Sequence, residues 1–219
     1  FDFFKLRLET DIGVGRKFID NVTGYGVLSA KNIQTGKLSL LVGGLLYYDY
    51  WDKPIFELST IGLGGGVFSK LPLGKTSFLY TNLHLAIVPF AGASTEPITD
   101  TSQYRDFNFG YGAEGKLETS IVLGNVATIG ANYYYFFIRS INSVGVDEPG
   151  ISSLGNNYMG ILEPRVTFRI YKNLNIGGEY YLYSQTHTDD YTTKTYHTEQ
   201  EIFLEFYFED PQRRGHFNL

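Results

Sequence analysis

The sequence predicts an all-β fold: a transmembrane antiparallel up-and-down β-barrel of about ten strands (about 8–12) around a polar lumen. Three observations carry this. From Phe109 to Val122 the residues sort into two faces, with Phe109, Tyr111, Ala113, Leu117, Thr119 and Ile121 on one and Gly110, Gly112, Glu114, Lys116, Glu118 and Ser120 on the other. A strand turns successive side chains to opposite sides, so one face is apolar and the other charged. The same alternation recurs along most of the chain at strand-length spacing, with no helix-period rival. The composition suits strands, tight turns and aromatic girdles, with 18 Tyr, 17 Phe and 25 Gly in 219 residues. A helical membrane protein is excluded, because the longest apolar run, Leu38 to Leu46 with its glycines and a serine, falls far short of ~20 residues. A mean hydropathy of -0.13 does not exclude a barrel, since only every second residue meets lipid.

In chain order, the first strand is read from Phe3 to Gly13, with Phe4, Leu6, Leu8 and Ile12 outward and Lys5, Arg7 and Glu9 inward. The second, near Gly24 to Lys31, has a weak pattern, and the third, Leu38 to Tyr50, is apolar on both faces and so has no preferred orientation. The fourth covers Phe56 to Phe68. The fifth, Ser77 to Pro89, sets Leu79, Leu83, Leu85 and Ile87 against Tyr80, Asn82 and His84. The sixth is the stretch already described, with a start as early as Tyr104. The seventh, Val126 to Arg139, puts Ala127, Ile129, Ala131, Tyr133, Tyr135 and Phe137 on one side. The eighth, Tyr158 to Tyr171, sets Leu162, Val166, Phe168 and Ile170 against Glu163, Arg165, Thr167 and Arg169. The ninth, Leu174 to Gln185, sets Ile176, Tyr180 and Leu182 against Glu179, Tyr181 and Tyr183. The last, His197 to Glu209, sets Ile202, Leu204, Phe206 and Phe208 against Glu199, Glu201, Glu205 and Tyr207.

The connections alternate in length. Leu123-Gly124-Asn125, Lys172-Asn173 and Lys70 to Lys75 are short, whereas Ala91 to Arg105, Ser140 to Asn157 and Thr186 to Tyr196 are long and rich in Ser, Thr, Asp and Gly. Outer-membrane barrels have short periplasmic turns and long outer loops, so an even strand count puts both termini in the periplasm. Pro164 falls inside the eighth strand, where a missing donor predicts a bulge, and Pro89 is read at the rim before a long loop. The barrel is assigned to residues 1–209 and a periplasmic tail, loose or used for docking, to residues 210–219. The chain opens directly on strand-like sequence, so a leader is expected to precede it.

Alternation alone does not say which face is inside, because a soluble barrel or sandwich would bury the apolar face and wet the charged one. The loop alternation favours lipid outside. So do the aromatics Tyr133, Tyr135, Phe137, Phe168 and Phe208, read as two interfacial belts, and the aromatic last strand ending Phe206-Tyr207-Phe208. The expected location is therefore a bacterial outer membrane, with membrane lipid and lipopolysaccharide as surroundings and other outer-membrane or periplasmic proteins as candidate partners. A net charge of -5 argues against a nucleic-acid partner, for which a basic stripe is expected. The absence of cysteine removes disulfides and thiol chemistry.

The inward charges Lys5, Arg7, Glu9, Glu114, Lys116, Glu118, Glu163, Arg165, Arg169, Glu179, Glu201 and Glu205, together with His84, form the predicted lumen network. A small barrel can be filled by its own side chains, and paired charges tolerate burial where lone ones do not. A plugged, structural barrel is therefore the first expectation, and a narrow, porin-like channel for small polar solutes the second. Gly62-Leu63-Gly64-Gly65-Gly66 lacks the Lys-Ser/Thr ending of a phosphate loop and no helix follows, so it is read as strand glycine. None of His84, His187, His197 and His216 has metal-site spacing, and no metal or cofactor is expected. Asp49 and Asp52 end the third strand, and His187 and Asp189 end the ninth. Paired acids facing an Asp/His pair across a rim could activate water, an arrangement that resembles the omptin outer-membrane proteases in strand count and residue types. A rim-site hydrolase is thus the third reading, and a non-enzymatic role is preferred.

Leu45-Leu46-Tyr47-Tyr48-Asp49-Tyr50-Trp51-Asp52, Phe56-Glu57-Leu58, the Gly62–Gly66 stretch, Asn82-Leu83-His84-Leu85 and Arg105-Asp106-Phe107-Asn108-Phe109-Gly110-Tyr111-Gly112 follow one another in an order with a known likeness. It resembles the barrel part of a domain-of-unknown-function family of Gram-negative outer-membrane proteins, over about Gly43 to Glu118. The resemblance implies a fold and a location and carries no activity. In sum, the sequence points to a structural or accessory barrel, or a subunit of an envelope complex.

Overall fold

The computed structural model describes residues 4–9, 21–53, 56–94, 107–144, 155–171, 174–188 and 192–206. They form a single ten-stranded antiparallel sheet in which each strand pairs with its neighbours in sequence. The strands are β1 (Phe4–Glu9), β2 (Asn21–Thr35), β3 (Leu38–Lys53), β4 (Phe56–Pro72), β5 (Phe78–Ser94), β6 (Phe107–Leu123), β7 (Ala127–Val144), β8 (Asn156–Tyr171), β9 (Leu174–Thr188) and β10 (Thr192–Phe206). No helix occurs among the described residues.

At one end of the sheet, here the turn end, β2–β3, β4–β5 and β6–β7 are joined by short turns, two of which place Gly36 and Gly124 at φ of 60° and 55°. That left-handed backbone is strained for any residue with a Cβ. At the opposite, loop end, β5 and β6 are separated in sequence by positions 95–106 and β7 and β8 by positions 145–155. The third predicted long loop, Thr186 to Tyr196, is instead mostly strand: Thr188 pairs with Thr192 and only 189–191 intervene. Its polar composition resembles a loop, but β-branched threonines suit an extended backbone. β3 and β4 are likewise closely joined, with Lys53 opposite Phe56.

Both prolines depart from these expectations. The bulge expected at Pro164 is absent: Pro164 pairs with Ala131 on β7, and the β8–β9 register runs in step from Leu162↔Leu182 to Arg165↔Glu179. No pairing with β9 is formed at Glu163 or Pro164, so the missing donor interrupts one ladder without adding a residue. Pro89, expected at a rim, lies inside β5, where the register to β6 shifts between Val88 and Ala91. Further shifts fall between Val27 and Ser29 in β2 and between Phe109 and Gly110 on β6, opposite Ser140 to Asn142.

Burial follows the sequence alternation, with the apolar face outside. On β6, Phe109, Tyr111, Ala113, Leu117, Thr119 and Ile121 are all exposed, while Glu114 and Lys116 are buried. On β5, Leu83, Leu85 and Ile87 are exposed and Tyr80, Asn82 and His84 buried. β8 exposes Leu162, Phe168 and Ile170 and buries Glu163 and Thr167. β9 exposes Ile176 and Leu182 and buries Glu179, Tyr181 and Tyr183. β3, which the sequence left unoriented, buries Leu45, Tyr47, Asp49 and Trp51 and exposes Val42, Leu46 and Tyr48. The exposed Tyr133 and Tyr135 sit at the middle of β7 rather than at its end. Tyr48, Phe90, Phe109, Tyr111 and Tyr196 are exposed aromatics nearer the loop end of their strands.

The buried face is concave. Trp51 on β3 packs on Tyr134 of β7 with ring centroids 5.2 Å apart. Four strand spacings of a flat sheet span roughly 19 Å, beyond the reach of two aromatic side chains. The sheet therefore curls far enough to bring β3 and β7 face to face. Glycine permits the close approach on β4: a Cβ at Gly66 would lie 2.7 Å from Leu45 Cδ1 and 3.1 Å from Phe68 Cε2. A Cβ at Gly62 would meet Glu114 Oε1 at 3.0 Å.

Candidate functional site on the concave face

The side chains of the concave face are sorted by height. Towards the loop end lies an aromatic and aliphatic layer that includes Trp51, Leu58, Tyr134, Phe136, Ile138 and Met159, and at the same end the buried Asn157 donates to the buried Ser140 at 3.0 Å. Trp51, Leu58, Phe136, Ile138 and Met159 have no solvent exposure. These residues come from β3, β4, β7 and β8, so the layer bridges the sheet from one side of the curl to the other.

Below it lies a charged layer. Asp49 of β3 and Lys116 of β6 form a buried ion pair, and Glu114 Oε1 approaches the same ammonium at 3.9 Å. Thr60 on β4 donates to Glu114 Oε2 at 3.2 Å, and the Tyr47 ring lies 4.9 Å from Lys116 Nζ. One cation thus serves two buried carboxylates, and an aromatic face takes up part of its field. A second group is built on β8 and β9. Arg165 lies 3.9 Å from both Glu163 and Glu179, and Tyr181 Oη donates to Glu179 Oε1 at 2.9 Å. Tyr183 extends this towards β10 by donating to Glu199 at 3.0 Å, and His197 Nε2 stands 3.5 Å from the same carboxylate.

Closer to the turn end, His84 is buried between the rings of Phe68 (4.8 Å) and Tyr47 (5.7 Å), and Asn82 donates to Glu118 at 3.2 Å. Of the predicted lumen residues, His84, Glu114, Lys116, Glu163 and Glu179 are buried on the concave face, and Glu118, Arg165 and Arg169 are half-buried there. For Lys5, Arg7 and Glu9 only the backbone is described. They sit opposite Tyr25, Thr23 and Asn21, in the rows that continue to Tyr47, Asp49 and Trp51. Glu201 and Glu205 stand opposite Glu179 and Asn175.

Of the four rim candidates, Asp49 is the one whose side chain is described. Asp49 is fully buried and engaged with Lys116. Asp52 occupies a β3 position opposite Glu57, and His187 a β9 position opposite Asn157 and Thr193. Asp189 and the tail from Asp210 lie outside the described residues, as does His216. No group of acidic and histidine side chains suited to a metal ion occurs among the described residues.

Sequence reasoning missed two parts of this site. The apolar layer was hidden because its members read as one more apolar row. Asp49 was assigned to a rim, although it shares strand parity with Tyr47 and Trp51, and an acid within an apolar row marks the face that holds the counter-charge. Comparison with protein-family models, curated proteins and solved structures gives no match to this chain.

Proposed function

We propose that this chain is a bacterial outer-membrane β-barrel, closed by β1 against β10, with lipid on its exposed face and a side-chain-filled interior. Its role is structural or accessory, as a barrel or barrel subunit of the cell envelope. The observation that carries the reading is the inverted burial of β6, where Leu117 and Ile121 are exposed while Glu114 and Lys116 are buried. In water this would forgo roughly 25 cal/mol for each Å² of apolar surface left wet and add the desolvation of ions. In a bilayer the same face is solvated by hydrocarbon, and the charges are drawn inward to one another. The β3–β7 contact of Trp51 and Tyr134 supports closure, because an open sheet gains little by such a curl.

A filled interior is favoured over a channel by the apolar layer towards the loop end. Apolar side chains packed together at that level leave little room for hydrated ions even where charge lies beneath them. The same layer leaves Asp49 no open rim at which to activate water, which weighs against the hydrolase reading.

Two measurements on purified protein test this. The chain is expected to fold only with detergent or lipid, and its compact form to migrate differently on a denaturing gel before and after boiling. Planar bilayers containing it are expected to show no steady conductance. A monodisperse, folded protein in detergent-free buffer would overturn the membrane reading, and stable unitary currents would replace the filled interior with a pore.

A further inference from the structure

At the turn end the concave face opens into a recess of about 670 Å³. Lys37, Lys70 and Lys75 line it together with Gln34, Ser39 and Phe78. This is the size of a small-molecule site, for which ~300–1,000 Å³ is usual. Lys70 stands opposite Ser39 of β3 and Tyr80 of β5, on the side of the sheet that buries Phe68 and Tyr80.

Two features set these lysines apart. All the charged residues lining the recess are cationic, in a chain whose net charge is -5. Among the described residues, none of the three has a carboxylate within ion-pair distance, in contrast to Lys116. Lys70 Nζ rests instead over the rings of Phe78 (4.3 Å) and Tyr80 (5.7 Å), which hold the ammonium in place without neutralising it. The rim beside it is fixed: Ser39 donates to Gln34 Oε1 at 2.9 Å, and Gln34 Nε2 donates to Gly36 O at 3.2 Å.

We propose that this recess binds a phosphate ester, with the ammonium groups of Lys37, Lys70 and Lys75 as its counter-charge and Phe78 as the wall for its organic part. Lysine is a point-charge donor suited to phosphate, whereas a planar carboxylate is better matched by the arginine fork, and no arginine lines the recess. Phe78 offers an apolar wall beside the ammonium groups, which favours an ester with an organic part over inorganic phosphate. The ligand's source is a soluble phosphate ester or the headgroup of an anionic phospholipid. The soluble-ester source does not depend on what the exposed face of the sheet meets, whereas the headgroup source rests on the membrane reading.

Lysine acetylation of the full chain, followed by mass spectrometry, tests the proposal without a variant. Glycerol 1-phosphate is the soluble probe. Nanodiscs of phosphatidylglycerol, compared with nanodiscs of phosphatidylcholine, are the lipid probe. Protection of Lys37, Lys70 and Lys75 by the soluble probe, with the exposed Lys31 and Lys194 unchanged, identifies a soluble ester; protection only by phosphatidylglycerol identifies a headgroup. Glycerol 1-phosphate titrations should then show the triple variant Lys37→Gln/Lys70→Gln/Lys75→Gln weakened by at least about tenfold, or phosphatidylglycerol binding should weaken likewise in the headgroup case. No protection by either probe, equal protection of all five lysines, or unchanged binding by the triple variant would overturn it.

Discussion

Lys116→Met is expected to remove about 3–5 kcal/mol of unfolding stability, the usual cost of leaving buried charge without its partner. The reason lies in the count of charges around one ammonium. Asp49 and Glu114 both converge on Lys116, and Asp49 Oδ1 has no donor among the described residues. Taking away the cation strands two acids at once. Asp49→Asn removes only one of them and leaves the Lys116–Glu114 pair, so its loss should be clearly smaller. The double variant Lys116→Met/Asp49→Asn should recover part of what Lys116→Met alone forfeits. Urea unfolding of protein folded into lipid vesicles, followed by tryptophan fluorescence, checks this ordering, and Trp51 is a convenient reporter as the single tryptophan of the chain. Equal losses for Lys116→Met and Asp49→Asn would mean that the two carboxylates do not depend on one cation.

The second large effect lies on the opposite face. Leu85 is 61% exposed, stands opposite Gly115 and occupies the middle of β5. Its replacement by arginine should lower stability by about 2–4 kcal/mol if that position meets the centre of a bilayer. If the same side chain met water, the change would stay within about 0.5 kcal/mol, as for ordinary surface substitutions. The sign and size of one substitution thus separate a lipid-facing from a water-facing leucine. The same urea titration measures it.

Much of this fold was legible because the alternation on β5, β6, β8 and β9 is regular, and a period of two admits only one backbone. The irregular strands explain what was not. β2 gave a weak pattern because Leu28 to Thr35 is exposed on both faces, and because the register shift between Val27 and Ser29 changes which residues share a face. β3 gave no orientation because both of its faces are apolar; only Asp49, taken as an internal charge, would have chosen between them. The bulge was expected at Pro164 and occurs at Pro89, since a proline can also be absorbed by a gap in one ladder, a choice made by the neighbouring strand. Of the charges expected on the inner face, Glu114, Lys116, Glu163 and Glu179 are buried on the concave side, but the partner of Lys116 was not among those expected. Asp49 and Lys116 are 67 residues apart and on strands that are not adjacent, so they meet only through the curl of the whole sheet.

The inverted orientation of the sheet has one direct test, made simple by a chain without cysteine. Single cysteines at positions 83, 85 and 87 can each carry a spin label in protein reconstituted into vesicles, and collision rates can be measured with molecular oxygen, which concentrates in hydrocarbon, and with a water-soluble nickel chelate. Lipid outside predicts frequent oxygen collisions and few chelate collisions at all three positions; chelate collisions dominating at all three would contradict it.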